Sequence, residues 1–198
     1  MKQAGRTAVL AILTLASVAA LAQAAATPAP TLAPPRLVGS IAGHPDWPLA
    51  KPEDVKSPEA IVAAVYSAIS GAKGQARDWE RMRSLFIPDA RLIPASMGKE
   101  GHSDAVFLSI DAYIARSSGR MTNDGFFEHS IHNETEQFGN IVQVWSTYES
   151  RHNADDEKPF ARGINSFQLL KDGDRYWVVN IFWDAESPTK PIPAKYLP

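Results

Sequence analysis

The chain contains no cysteine. No disulfide staples it and no cysteine is present to carry a lipid, so its stability rests on a packed core. No two histidines stand at i, i+2 or i, i+4, so a metal site is not expected. Basic clusters are also missing. The net charge is −2, which argues against nucleic-acid binding and against an anionic membrane surface. No apolar run reaches the ~20 residues that a membrane-spanning helix needs.

What the chain does have begins with Lys2 and Arg6 ahead of an uncharged run from Ala8 to Ala22, followed by Ala22-Gln23-Ala24. A basic start, a short apolar core and an A-x-A site read as a secretory signal peptide over residues 1–24. The expected location is the periplasm or the medium, with no membrane association after cleavage. Removing that segment shifts the net charge to −4. Residues 25–56 read as a Pro-rich linker or arm, because proline fixes φ and removes a donor. Leu37, Val38, Ile41 and Trp47 could lay part of it against the domain. Residues 57–186 are enough for one domain, and residues 187–198 form a second Pro-rich tail.

Within the domain, Ser57-Pro58-Glu59 predicts a helix start, and Ile61, Val65 and Ile69 recur every four residues before Gly71. Asp78 is a cap for a second helix with Trp79, Met82, Leu85 and Phe86 on one stripe, stopped by Pro88. Arg91-Leu92-Ile93 reads as a short strand. Ser109 caps a third helix carrying Ile110, Tyr113 and Ile114, ending near Gly119.

Two hairpins follow, Phe126–Arg151 and Phe160–Asp184. Gly139-Asn140 suits a two-residue turn, and Asp172-Gly173 marks a second. Regular ladders then place His129 opposite Ser150, Ile131 opposite Tyr148 and Thr135 opposite Val144 on one face. They place Arg162 opposite Trp183, Ile164 opposite Ile181, and Asn165 opposite Asn180 on the other face of the second hairpin. The strand from Trp177 to Trp183 is apolar on both faces, so one face is expected to cover the helices and the other to meet a second copy of the chain.

This order, with Asp78-Trp79, Leu85-Phe86-x-Pro88-Asp89-Ala90, Phe138-Gly139-Asn140-Ile141, Ser146 to Ser150, Arg162-Gly163-x-Asn165-Ser166 and the Trp177–Trp183 strand, resembles the nuclear transport factor 2-like superfamily. That superfamily includes SnoaL-like cyclases and ketosteroid isomerases, and the resemblance extends to small exported bacterial members of unknown function. It covers residues 59–186. It implies an α+β fold in which a cone-shaped, curved antiparallel sheet wraps around three N-terminal helices and encloses a pocket, often in a homodimer.

The resemblance puts a pocket tyrosine near Tyr66, whose hydroxyl can donate to a developing oxyanion. The isomerase base, an aspartate after the first strand, has no counterpart in Leu92-Ile93-Pro94-Ala95. His129 is the expected substitute base, able to titrate near neutral pH. Arg162 beside Trp183 could orient a carboxylate or an enolate. Alternatively, Arg162 braces the fold through Glu149 or Asp184. The expected ligand-binding set is Tyr66, Tyr113, His129, Tyr148, Arg162 and Trp183, with His129 and Tyr66 the catalytic candidates and no cofactor. The leading expectation is a domain that binds a small apolar or carbonyl-containing molecule. The alternatives are a cofactor-free isomerase, cyclase or dehydratase, and a non-catalytic dimeric module whose cone is filled by side chains.

Overall fold

The computed structural model describes His44, residues 46–97 and residues 101–198. The signal-peptide and most of the linker expectations, including Leu37, Val38 and Ile41, lie outside the described residues. Among those described, no helix is long and apolar enough to cross a membrane.

Helices α1 (Pro52–Val55), α2 (Pro58–Ile69) and α3 (Trp79–Leu85) precede strand β1 (Phe86–Met97). Strand β2 (Ser103–Ala105) and helix α4 (Ile110–Asp124) come next. Strands β3 (Phe127–Phe138), β4 (Ile141–Arg151), β5 (Ala161–Asp172) and β6 (Arg175–Ala185) complete one sheet of order β2-β1-β6-β5-β4-β3. The fold is α+β, a curved open sheet with helices against its inner face. The expected wholly antiparallel sheet needs one correction, since β1 runs parallel to β6.

The three expected helix caps form. Ser57 Oγ accepts from Ala60 N at 3.1 Å, Asp78 Oδ1 from Arg81 N at 3.0 Å, and Ser109 Oγ from Ala112 N at 3.2 Å. Each satisfies one of the donors that a helix start leaves open. Helix α4 does not end at Gly119. An isolated glycine costs a helix only about 1 kcal/mol, and burial of Met121 on the next turn carries α4 on to Gly125, whose φ of 74° suits glycine. The strand expected at Arg91–Ile93 is longer, because β1 pairs along β6 from Phe86 to Pro94, with an irregularity between Phe86 and Arg91 that accommodates Pro88.

The end of the Pro-rich arm packs on the domain. Trp47 Nε1 donates to Phe86 O at 3.1 Å, and Val55 is buried. Asp54 accepts two hydrogen bonds from the Arg81 guanidinium at 2.7 and 2.8 Å, which docks α1 on α3. The C-terminal segment lies on the outer face of the sheet. Thr147 Oγ1 donates to Tyr196 O at 2.7 Å, and the Trp145 and Tyr196 rings are 5.8 Å apart. The chain itself therefore covers part of the face for which a second copy was expected.

Both hairpins carry a β-bulge. In the first, Ser130 pairs with Tyr148 and His132 with Thr147, so Ile131 has no partner. In the second, the turn sits one residue later than expected, with Asp172 opposite Arg175, and the ladder slips again at Val179, since Gln168 faces Asn180 while Leu169 faces Val178. A bulge adds one residue to one strand, and side chains alternate with period two. Every residue beyond a bulge therefore changes face relative to a regular ladder.

Candidate functional site

A cavity of about 270 Å³ lies between α2, α4 and the inner face of the sheet. Most of the residues that line it are apolar, Val65, Ile69, Met82, Phe167 and Ile181 among them, and polar side chains supply much of the rest. Four of the six expected ligand residues line it: Tyr66 from α2, Tyr113 from α4, Tyr148 from β4 and Trp183 from β6. Tyr113 and Trp183 meet edge to face at 6.3 Å.

His129 and Arg162 do not line it, and the two bulges are the reason. The unpaired Ile131 shifts the start of β3 by one, so His129 stands opposite Glu149 and is exposed on the outer face. Glu128 takes the inward position opposite Ser150. The shift at Val179 turns Trp183 inward, opposite Asn165 rather than Arg162, and separates the expected Asn165–Asn180 pair. Arg162 points outward and pairs with Glu186 at 2.8 Å. It is a brace, as the alternative held, but through a different carboxylate. Glu186 Oε1 in turn accepts from Ile192 N at 3.1 Å, so the brace pins the C-terminal segment.

The polar groups of the cavity form one network. Ser150 Oγ donates to Glu128 Oε2 at 2.7 Å. Asn165 Nδ2 donates to Tyr66 OH at 3.0 Å and reaches Glu128 Oε1 at 3.5 Å. Tyr66 OH and Ser146 Oγ are 2.7 Å apart. Ser146 is fully buried, Tyr66 nearly so, and either hydroxyl can be the donor between them. The Tyr66 oxygen also accepts from Asn165.

Removal from water pushes the Glu128 carboxyl up to about 7, against the pull of its bonds from Ser150 and Asn165. Burial and the neighbouring Glu128 carboxylate hold the phenols of Tyr66, Tyr113 and Tyr148 well above their ordinary range, so all three keep their protons. The site thus holds one group that titrates near neutrality beside three protonated phenols.

Glu128 is held from behind. The end of α2 places Ser70 so that its Oγ accepts from Glu128 N at 3.0 Å and donates to Tyr66 O at 2.7 Å. This ties the backbones of the two key residues together. Helix α4 is anchored by Arg77, buried and bonded to the carbonyls of Ile69 at 2.9 Å, Gly71 at 2.7 Å and Met121 at 2.6 Å. The close approach of Gly163 makes room for Tyr148, since a Cβ there would lie 2.6 Å from the Tyr148 hydroxyl.

Sequence reasoning missed Glu128, Ser150 and Asn165 as a cluster, because regular alternation sends Glu128 outward. It also missed Arg116 and Arg120, which line the cavity beside Tyr113. Their spacing of three and seven residues from Tyr113 on a helix was the available signal. Among the described residues, no group of three or more metal-ligating side chains gathers.

No protein-family model matches the sequence, and no curated protein matches it. Solved structures resemble the fold. One is a protein of unknown function with a cystatin-like fold from Nostoc punctiforme, at 10% identity and TM-score 0.48, covering 64% of this chain and 86% of that one. Another is described as a ketosteroid isomerase from Parabacteroides distasonis, by inference only, at 12% identity and TM-score 0.46, covering 69% and 98%. A third is an NTF2-like protein of unknown function from Methylobacillus flagellatus, at 15% identity and TM-score 0.41, covering 64% and 86%. At these identities the likeness concerns architecture and not chemistry.

Proposed function

We propose that this is an exported cone-fold domain that binds a small, mostly apolar molecule bearing a carbonyl or hydroxyl oxygen. One observation carries the reading: a single carboxyl, Glu128, set among apolar walls and wired to Ser150, Asn165 and Tyr66. Apolar clefts with a few convergent polar groups are the usual form of a ligand site. A cavity of this size also weighs against a cone filled by side chains. The same reading keeps two copies paired through the uncovered outer face, where Phe182 is 47% exposed. Light scattering on the purified protein tests that pairing.

The test is a fragment screen by ligand-observed NMR on the native protein and on Ser117→Trp, which places a large ring in the cavity from α4. Fragments that bind the native protein and not the variant support the reading. A screen with no binders, or with binders indifferent to the blockade, contradicts it.

A second reading has its own support. A carboxyl near 7 beside a hydroxyl donor suits proton transfer next to a carbonyl. In a cofactor-free isomerase, cyclase or dehydratase, Glu128 would take the proton and Tyr66 would hold the oxyanion. Across a carbonyl substrate panel, Glu128→Gln then abolishes turnover while His129→Ala leaves it intact. Turnover that survives Glu128→Gln rules this reading out.

A further inference from the structure

The mouth of the cavity is positively charged, in a chain whose net charge is −2. Arg116 and Arg120 are one helical turn apart on α4, on the face that also sends Tyr113, Ser117 and Met121 into the cavity. Both arginines are exposed, and both line the cavity. Among the described residues neither makes an ion pair. The acid at the start of α4, Asp111, is engaged by Arg83 at 2.8 Å, and among the described residues Asp124 has no ion-pair partner within 4 Å. Two like charges at i, i+4 cost a helix a few tenths of a kcal/mol, so helix stability does not account for them.

We infer that the molecule bound in the cavity is a small organic carboxylate, with its anionic end on Arg116 and Arg120 and its apolar body directed inward toward Tyr66 and Glu128. The inference rests on the cavity reading above and deepens it. A guanidinium presents a planar fork that matches a carboxylate, and a pair of them beside a low-dielectric cavity concentrates the field there. Glu128 fixes the orientation. A carboxylate at the inner end would face another carboxyl, whereas a hydroxyl or carbonyl there meets the Tyr66 hydroxyl and the Glu128 carboxyl. A volume of about 270 Å³ is roughly nine water volumes, room for on the order of ten non-hydrogen atoms. A single ring with a short acid side chain fits that space.

The experiment is calorimetric titration with 3-(4-hydroxyphenyl)propanoate and its primary amide, at two salt concentrations, on the native protein and on the Arg116→Gln/Arg120→Gln double variant. The native protein is expected to prefer the acid by about tenfold, with the preference shrinking as salt rises. The double variant is expected to bind acid and amide about equally and to melt within a few degrees of the parent, since among the described residues neither arginine makes an ion pair. Equal binding of acid and amide by the native protein overturns the inference and leaves the cavity reading standing. A preference for the acid that survives in the double variant overturns it as well. Failure of both probes to bind the native protein counts against the cavity reading and the inference together.

Discussion

Glu128 and Ser150 stand directly opposite each other across β3 and β4, and Ser150 Oγ donates to Glu128 Oε2 at 2.7 Å. The pairing exists because the ladder passes over Ile131. Had Ile131 paired with Tyr148, the cavity would hold a histidine and the carboxyl would face solvent. A single unpaired residue thus decides which acid–base group the cavity contains.

Stability should fall as pH rises through the range where Glu128 titrates. Burial raises this carboxyl from 4.5 to about 7, so the folded protein holds the proton more tightly than the unfolded chain does. The stabilisation from the neutral carboxyl is complete below about 4.5 and is lost as pH rises through about 7. The loss is up to about 3 kcal/mol, less where the carboxyl keeps some water. Urea unfolding at pH 5 and pH 8 measures it, and Glu128→Gln should remove this part of the difference.

Tyr66→Phe should cost about 1–3 kcal/mol, because it strands the buried Ser146 hydroxyl and takes the acceptor from Asn165. The double variant Tyr66→Phe/Ser146→Ala should recover part of the loss, since no stranded hydroxyl remains. Chemical denaturation of the two variants distinguishes this network from simple packing, in which the double variant would be the worse of the two.

Arg77→Met should be among the most damaging single changes. It leaves the carbonyls of Ile69, Gly71 and Met121 without their donor, at about 3 kcal/mol or more. Arg77→Lys should rescue little, because an ammonium cannot serve that spread of acceptors from one planar fork. Thermal melts test both, and the loss should appear first as faster amide exchange in α4.

Gly163→Ala introduces a Cβ 2.3 Å from the Asp184 carbonyl oxygen and 2.6 Å from the Tyr148 hydroxyl. The backbone contact cannot give easily, so overpacking should cost about 1–3 kcal/mol. Tyr148 must shift toward the cavity, and ligand affinity should fall by more than the stability loss alone explains. Calorimetry beside a melt separates the two effects.

The parts of the fold legible in the sequence are those with a local chemical mark. Ser57, Asp78 and Ser109 announce three helix starts through side chains that cap them, and Gly139 announces the first hairpin. The second turn is marked less sharply, because Gly173 can occupy either central position of Asp172-Gly173-Asp174, and the structure centres it on Gly173-Asp174. The bulges left no such mark. Ile131 and Val179 are β-branched residues of the sort that fill regular strands, and neither is a glycine that would advertise an irregularity. Tyr66 follows from the family resemblance and Tyr113 and Tyr148 from helix stripe and strand face, whereas Trp183 shares the cavity with them because the bulge at Val179 takes it off the face of Arg162. His129 and Arg162 were misplaced because each lies beyond a bulge, or opposite a strand beyond one, where alternation inverts.

The most direct test of the account is the titration of the Glu128 carboxyl, followed by carbon-13 NMR on protein labelled at its glutamate side chains and assigned with Glu128→Gln. The account predicts a midpoint near 7, moving when a cavity-bound fragment is added. A midpoint near 4.5, indifferent to such fragments, would mean that Glu128 faces water and that the cavity lacks the group on which the proposed function depends.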